Sequence, residues 1–191
     1  MKVSQKGIKA LMDMEAVELM PYLDQAQKLT VGIGHLLTER EIESGQINID
    51  GNLIVWRNGL TREQSISLMQ QDLKKAEDAV NRLVKVPLSQ NQFDALTFWC
   101  YNVGTEAVKG STLLQELNYG HYEAVPVELA KWNKVTKKVV QADGTVKKVR
   151  VVSNGLVKRR NKEIAIWKGE TIDEKGRVRN LSGSYDDADG V

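Results

Sequence analysis

Apolar residues recur along this chain at two periods, and the elements change where the period changes. Ile8, Leu11 and Met12 lie at helical spacing behind Ser4, whose hydroxyl can cap a first helix. Pro21 and the stretch to Gly34 break that period. Leu19 to Leu23 and Leu29 to Ile33 read as short strands about a polar turn, Asp24-Gln25-Ala26-Gln27-Lys28. Thr38 to Gly59 is mixed, with Asp50-Gly51 and Asn58-Gly59 as turn signals.

Helical spacing then returns. Thr61 with Gln64 is a capping box, and Ile66, Met69, Leu73, Ala76, Val80 and Leu83 follow at intervals of three and four up to Pro87. Such a stripe predicts core packing. Ser89 with Gln92 opens a second helix, Gln90 to about Val103, that is apolar nearly all round and so belongs at a buried centre. Short helices are expected at Ser111 to Leu117 and Glu123 to Trp132, and a last one at about Val157 to Trp167. Between these, Val135 to Val152 alternates β-branched residues with lysines around Asp143-Gly144, a strong hairpin signal. Thr171 to Val191 is poor in apolar groups and acidic at its end, and reads as a mobile tail. The sum is α+β: mostly helical, with a small N-terminal β region.

Composition narrows the function classes. The single cysteine, Cys100, lies inside an apolar run and predicts a buried, inert thiol with no intramolecular disulfide. Nothing after Met1 resembles a signal peptide, and no segment approaches the roughly 18 apolar residues of a membrane span. The net charge of +2 conceals an asymmetry, because Lys131 to Lys162 holds eleven Lys or Arg against one acid, Asp143. That segment suits a polyanionic partner (cell-wall polymer, nucleic acid or anionic membrane) or is simply a solvated face.

The densest chemistry lies between Glu15 and His35. Glu15 falls at the end of the first helix, Asp24 at the exit of the first strand and Thr30 on the return strand. A helix end beside a hairpin can gather two carboxyls and a hydroxyl, and glycosidic hydrolysis needs such a set. One acid protonates the leaving oxygen, while a carboxylate steers water or attacks the anomeric carbon. The residues alone only permit this, since carboxylates at such places are usually solvated. Gly32-Ile33-Gly34 lacks the third glycine of a dinucleotide loop, with Leu37 in its place. No H-E-x-x-H or paired C-x-x-C suggests a metal, no cofactor is expected, and no G-x-S-x-G marks a serine nucleophile.

Glu15, Asp24 nine residues on, Thr30 six further, then Gly32, Gly34 and His35 resemble the signature of the phage lysozymes of glycoside hydrolase family 24. The likeness extends through Leu88-Ser89-Gln90 and Phe93 to Leu96, Asn102-Val103-Gly104, Ser111 to Leu114, Leu117 to Gly120, and Gly155 to Arg160 with Glu163 and Trp167. It covers roughly Gly7 to Gly169. It implies a lysozyme-like domain over 1–170: a small β-hairpin lobe at about 15–60, a joining helix at about 61–85, and a helical lobe at about 86–170 plus 1–14. The basic hairpin 135–152 is inserted there, the tail follows, and the cleft lies between the lobes.

The resemblance also implies an endolysin that hydrolyses the β-1,4 bond from N-acetylmuramic acid to N-acetylglucosamine with inversion. Glu15 is then the general acid, and Asp24 and Thr30 position the attacking water. Gly34, His35 and Asn102 support the site or line the cleft. Arg159 matches the arginine that pairs with the catalytic Glu, with Arg160 a close rival. Such a protein is expected to act as a monomer. It stays in the host cytoplasm until a holin opens the way to the wall, and the basic hairpin is expected to dock on anionic wall or membrane polymers.

Three residues depart from the family pattern. Ala16 and Gln27 stand where glycines are usual, and Leu29 where an aromatic is common. Competing readings are a lytic transglycosylase, which needs no water-activating Asp24, and a non-catalytic wall-binding module, which would lose Glu15. A nucleic-acid binder would want aromatics among its cations, and Lys134 to Arg150 has none.

Overall fold

The computed structural model of the chain describes residues 1–15, 17–24, 27–141, 144–172 and 178–179. Helices and short antiparallel strands make it α+β, as the two hydrophobic periods predict. It divides into two compact units. One comprises Ile8–Lys75 and Val135–Val151; the other comprises Met1–Gly7, Ala76–Lys134 and the chain from Val152. The basic hairpin thus falls with the small sheets, whereas the sequence reading counted it with the helical part.

In the first unit, the chain leaves helix α1 (Gln5–Met12) and enters a three-stranded antiparallel sheet, β1 (Glu18–Leu23), β2 (Leu29–Gly32) and β3 (His35–Leu36). Sequence reading gave the first two strands and missed the two-residue third. Helix α2 (Glu39–Ser44) follows, opened by a Thr38–Glu41 capping box and closed by Gly45 at φ 74°. Strands β4 (Gln46–Ile49) and β5 (Asn52–Val55) pair through Asp50-Gly51, where both residues have positive φ, as a tight hairpin turn demands. Val31, Leu37, Ile47, Ile49, Trp56, Leu60 and Leu68 form this unit's core. Trp56 donates its indole N–H to the Glu41 carbonyl at 2.7 Å, so its burial leaves no polar atom unmet.

Helix α3 (Arg62–Leu83) begins at the expected capping box, with the Gln64 N–H on Thr61 Oγ1 at 3.1 Å and the Thr61 N–H on Gln64 Oε1 at 2.8 Å. Met69, Leu73, Ala76 and Val80 of the predicted stripe are buried. The boundary between units falls within this helix, after Lys75.

The second unit is built round helix α4 (Gln90–Val103), in which every residue from Phe93 to Cys100 is buried. Burial pushes the Cys100 thiol up, which keeps it protonated and inert. Helices α5 (Thr105–Lys109), α6 (Thr112–Asn118) and α7 (Ala124–Ala130) follow, and α8 (Asn154–Trp167) packs on α4 and α7. The five-residue α5 went unread because Gly104 and Gly110 bracket it. Helix α8 starts three residues earlier than expected, since Ser153 Oγ caps it by accepting the Leu156 N–H. Trp99 and Trp132 meet edge to face at 5.3 Å. Strands β6 (Lys134–Val140) and β7 (Val146–Val152) form the predicted hairpin, whose Ala142 and Asp143 lie outside the described residues. In the segment read as a tail, β8 (Thr171–Ile172) and β9 (Val178–Arg179) pair antiparallel, and the rest of it is not described.

Gln27 has φ 61°, the left-handed conformation that favours glycine. Gln27→Gly relieves a backbone that costs a side chain about 1 kcal/mol. The urea midpoint should rise at unchanged slope; a lower midpoint would show the side chain to be stabilising.

Candidate active site

Glu15, Asp24 and Thr30 are each placed by the backbone around them. Glu15 follows α1 at a bend, its N–H on the Leu11 carbonyl at 3.1 Å, and its side chain is half-buried. Asp24 closes β1, and the turn is tied across its mouth by the Asp24 N–H on the Lys28 carbonyl at 2.9 Å. The Lys28 N–H returns to Asp24 Oδ1 at 2.8 Å, which fixes the direction of the carboxylate. Thr30, 3% exposed, donates its hydroxyl to the Lys28 carbonyl at 3.1 Å. Its proton is therefore committed, and toward a water molecule Oγ1 can only accept.

Tyr22 links the three. It sits directly opposite Thr30 in the β1–β2 register. Its phenol is held above the ordinary value by burial first, then by the charges of Glu15, Asp24 and Glu18. Both candidate acids thus lie within electrostatic reach of one phenol whose strand partner is the candidate hydroxyl. Sequence reasoning passed over Tyr22. The signal was its place two residues before Asp24, on the same strand side by simple alternation.

Gly32 and Gly34, at φ 67° and 73°, turn the chain between β2 and β3 and set Val31 opposite His35. The positive φ calls for glycine at position 32, and a Cβ there would press on Leu60 Cδ1 and Ser65 Oγ at 3.3 Å. The paired glycines serve a turn, and the turn delivers His35 to a buried position. Its Nδ1 lies 2.5 Å from Asp72 Oδ2 and its Nε2 3.3 Å from Glu41 Oε2. Both nitrogens face carboxylates, which favours the doubly protonated ring. Burial opposes that charge, but Asp72 and Glu41 together outweigh it and raise the imidazole pKa. Asp72 is lowered in turn: burial pushes it up, and His35 and Lys75, 2.7 Å away, more than offset this. Glu41 is lowered against burial by Thr38 and His35. His35 therefore ties α2 to α3, which is a supporting role.

The remaining candidates belong to the second unit. Arg160 is 1% exposed and donates to Glu163 Oε1 at 2.7 Å and Asn102 Oδ1 at 2.8 Å. Arg159 donates to Glu163 Oε1 at 3.2 Å and to the Phe98 carbonyl. Burial drives the Glu163 carboxyl up against both guanidiniums, and its Oε2 has no hydrogen-bond partner. Asn102 thus holds Arg160. Ala16 lies outside the described residues, and Leu29 is half-buried against the core of the first unit. Among the described residues no group of three or more His, Cys, Asp or Glu could hold a metal, and no helix is long and apolar enough to cross a membrane.

A family model described as phage lysozyme matches residues 12–163. The chain belongs to the phage lysozyme family. The endolysin of Salmonella phage P22 is 37% identical to this lysozyme over 137 residues, 72% of this chain and 87% of that one. An endolysin structure from Escherichia coli O157:H7 phage FAHEc1 superposes with a TM-score of 0.66 at 35% identity, covering 87% of this chain and 93% of that one. The muramidase domain of SpmX from Asticaccaulis excentricus does so with a TM-score of 0.63 at 26% identity, covering 87% and 97%. The lysozyme is accordingly a lysozyme-like α+β glycosidase, an endolysin that acts on peptidoglycan.

The His35 cluster makes the lysozyme's stability depend on pH in a defined window. A histidine raised above its usual 6.5 contributes fully below 6.5, and the contribution fades as pH climbs through the folded value. Asp72 and Glu41, lowered from 3.8 and 4.5, contribute above those values and fade as pH falls through the folded ones. The stability lost in His35→Gln should be greatest between about pH 4.5 and 6.5 and shrink on either side. Paired urea titrations across pH check this, and a loss independent of pH would contradict it.

Proposed function

We propose that this lysozyme cleaves the β-1,4 bond from N-acetylmuramic acid to N-acetylglucosamine by an inverting, single-displacement mechanism. Glu15 gives its carboxyl proton to the glycosidic oxygen as the bond to the anomeric carbon breaks. Water attacks that carbon from the opposite face and passes one proton to the Asp24 carboxylate, while Thr30 Oγ1 accepts a hydrogen bond from the O–H that the sugar keeps. The products are a muramic acid reducing end and a free hydroxyl on the glucosamine.

The observation that carries this reading is the Tyr22 phenol, which feels both carboxylates and stands opposite Thr30. A hydroxyl whose own proton is committed to Lys28 is suited to receive a hydrogen from water, and a carboxylate fixed by a backbone N–H is suited to steer it. Arg159 and Arg160 both act within the second unit, through the shared Glu163 carboxylate. Gly34 and His35 act by shaping the sheet, and Asn102 by positioning Arg160. A holin, on this reading, gives the enzyme its route from the host cytoplasm to the wall.

Glu15→Gln and Asp24→Asn should each lower kcat on purified peptidoglycan by about 100- to 10,000-fold with little change in thermal stability. Thr30→Ala should lose less, and Lys28→Ala should stay near wild type, because only the Lys28 backbone is used. Full activity in a folded Glu15→Gln variant would remove the assignment.

A further inference from the structure

The β6–β7 hairpin carries none of the residues proposed for this chemistry, and its two faces differ. The Gln141 N–H donates to the Thr145 carbonyl at 2.8 Å, and at the other end the Ser153 N–H donates to the Asn133 carbonyl at 2.9 Å. Both bonds give one register: Val140 opposite Val146, Lys138 opposite Lys148, Thr136 opposite Arg150 and Lys134 opposite Val152. Side chains alternate along a strand, so these eight share a face. All eight are exposed, whereas Val135, Val149 and Val151, the half-buried residues of the two strands, lie on the other face.

Among the described residues, the exposed face carries four cations, no acid, and valines at 70% (Val140) and 59% (Val146) exposure next to the turn. Like charges directly opposite one another weaken a strand pair, and a two-stranded hairpin has little stability to spare. Lys138 against Lys148 is therefore a standing cost in water that an anionic partner would relieve. The valines say which kind of anion. A polyphosphate wall polymer is hydrophilic throughout and would leave them in water. A nucleic acid would use aromatic stacking, and the hairpin offers none. A bilayer presents phosphates above an acyl boundary, so long basic stems can reach headgroups while apolar tips settle beneath them.

We propose that this face of the hairpin is a docking surface for a bilayer containing anionic phospholipid. It stands apart from the catalytic reading, since it rests on the hairpin alone.

The test is cosedimentation of the whole chain with phosphatidylglycerol–phosphatidylcholine vesicles and with vesicles of phosphatidylcholine alone, at low and high salt. The unaltered protein should bind only the anionic vesicles, and less so as salt rises. Lys138→Gln with Lys148→Gln should weaken binding about 30-fold. Val140→Thr with Val146→Thr should weaken it severalfold without changing the salt dependence. Hydrolysis of purified peptidoglycan should be unchanged in both double variants. Failure of the unaltered protein to bind anionic vesicles overturns the proposal whatever the variants do. Full binding by the valine variant, or tighter binding of the unaltered protein to purified wall polymer or nucleic acid, also overturns it.

Discussion

One residue's peptide groups orient both of the side chains proposed to handle water. The Lys28 N–H holds the Asp24 carboxylate, and the Lys28 carbonyl takes the Thr30 hydroxyl proton while also closing the turn on the Asp24 N–H. Because the tie is made by main chain, the exposed Lys28 side chain can vary freely and the geometry persists. What must be kept is the β1–β2 register, since a one-residue slip would carry Thr30 to the opposite face and away from Tyr22. The register is in turn secured by burial of Val31 on the return strand and of Ile33 in the Gly32–Gly34 turn, where both glycines have positive φ. The site is thus an outcome of how a short sheet packs.

The second unit shows the same economy with charge. Glu163, fully buried, receives both Arg159 and Arg160 on one oxygen, and Arg160 reaches on to Asn102 at the end of α4. Removing one partner of such a buried group strands the others, so the loss of any single member is costly. This explains why two adjacent arginines could not be told apart in sequence: both serve the same carboxylate, and only their burial and onward contacts separate them.

Elements announced by local chemistry were legible. The Thr61–Gln64 and Ser89–Gln92 boxes and the Asp-Gly hairpin turn encode their boundaries within four residues, and the helices and strands formed there. The Thr38–Glu41 box carries the same signal but went unread amid turn residues, and β3 is too short for alternation to register. At the proposed site, Glu15, Asp24 and Thr30 were singled out by their family spacing alone. Tyr22 and the Asp72–Glu41 clamp on His35 were not, because these contacts depend on pairing across strands or between helices far apart in sequence. Gln27 marks the opposite case: the sequence departs from glycine, yet the backbone keeps the left-handed turn regardless.

The central claim is that Asp24 and Thr30 deliver water to the face opposite Glu15. The configuration of the newly formed muramic acid reducing end, read by NMR before mutarotation, tests it most directly. Attack by water held there produces the α-anomer from a β-linked strand. A β-anomer would mean a double displacement, and an anhydro-muramic end would mean that no water is delivered at all; either would contradict the account.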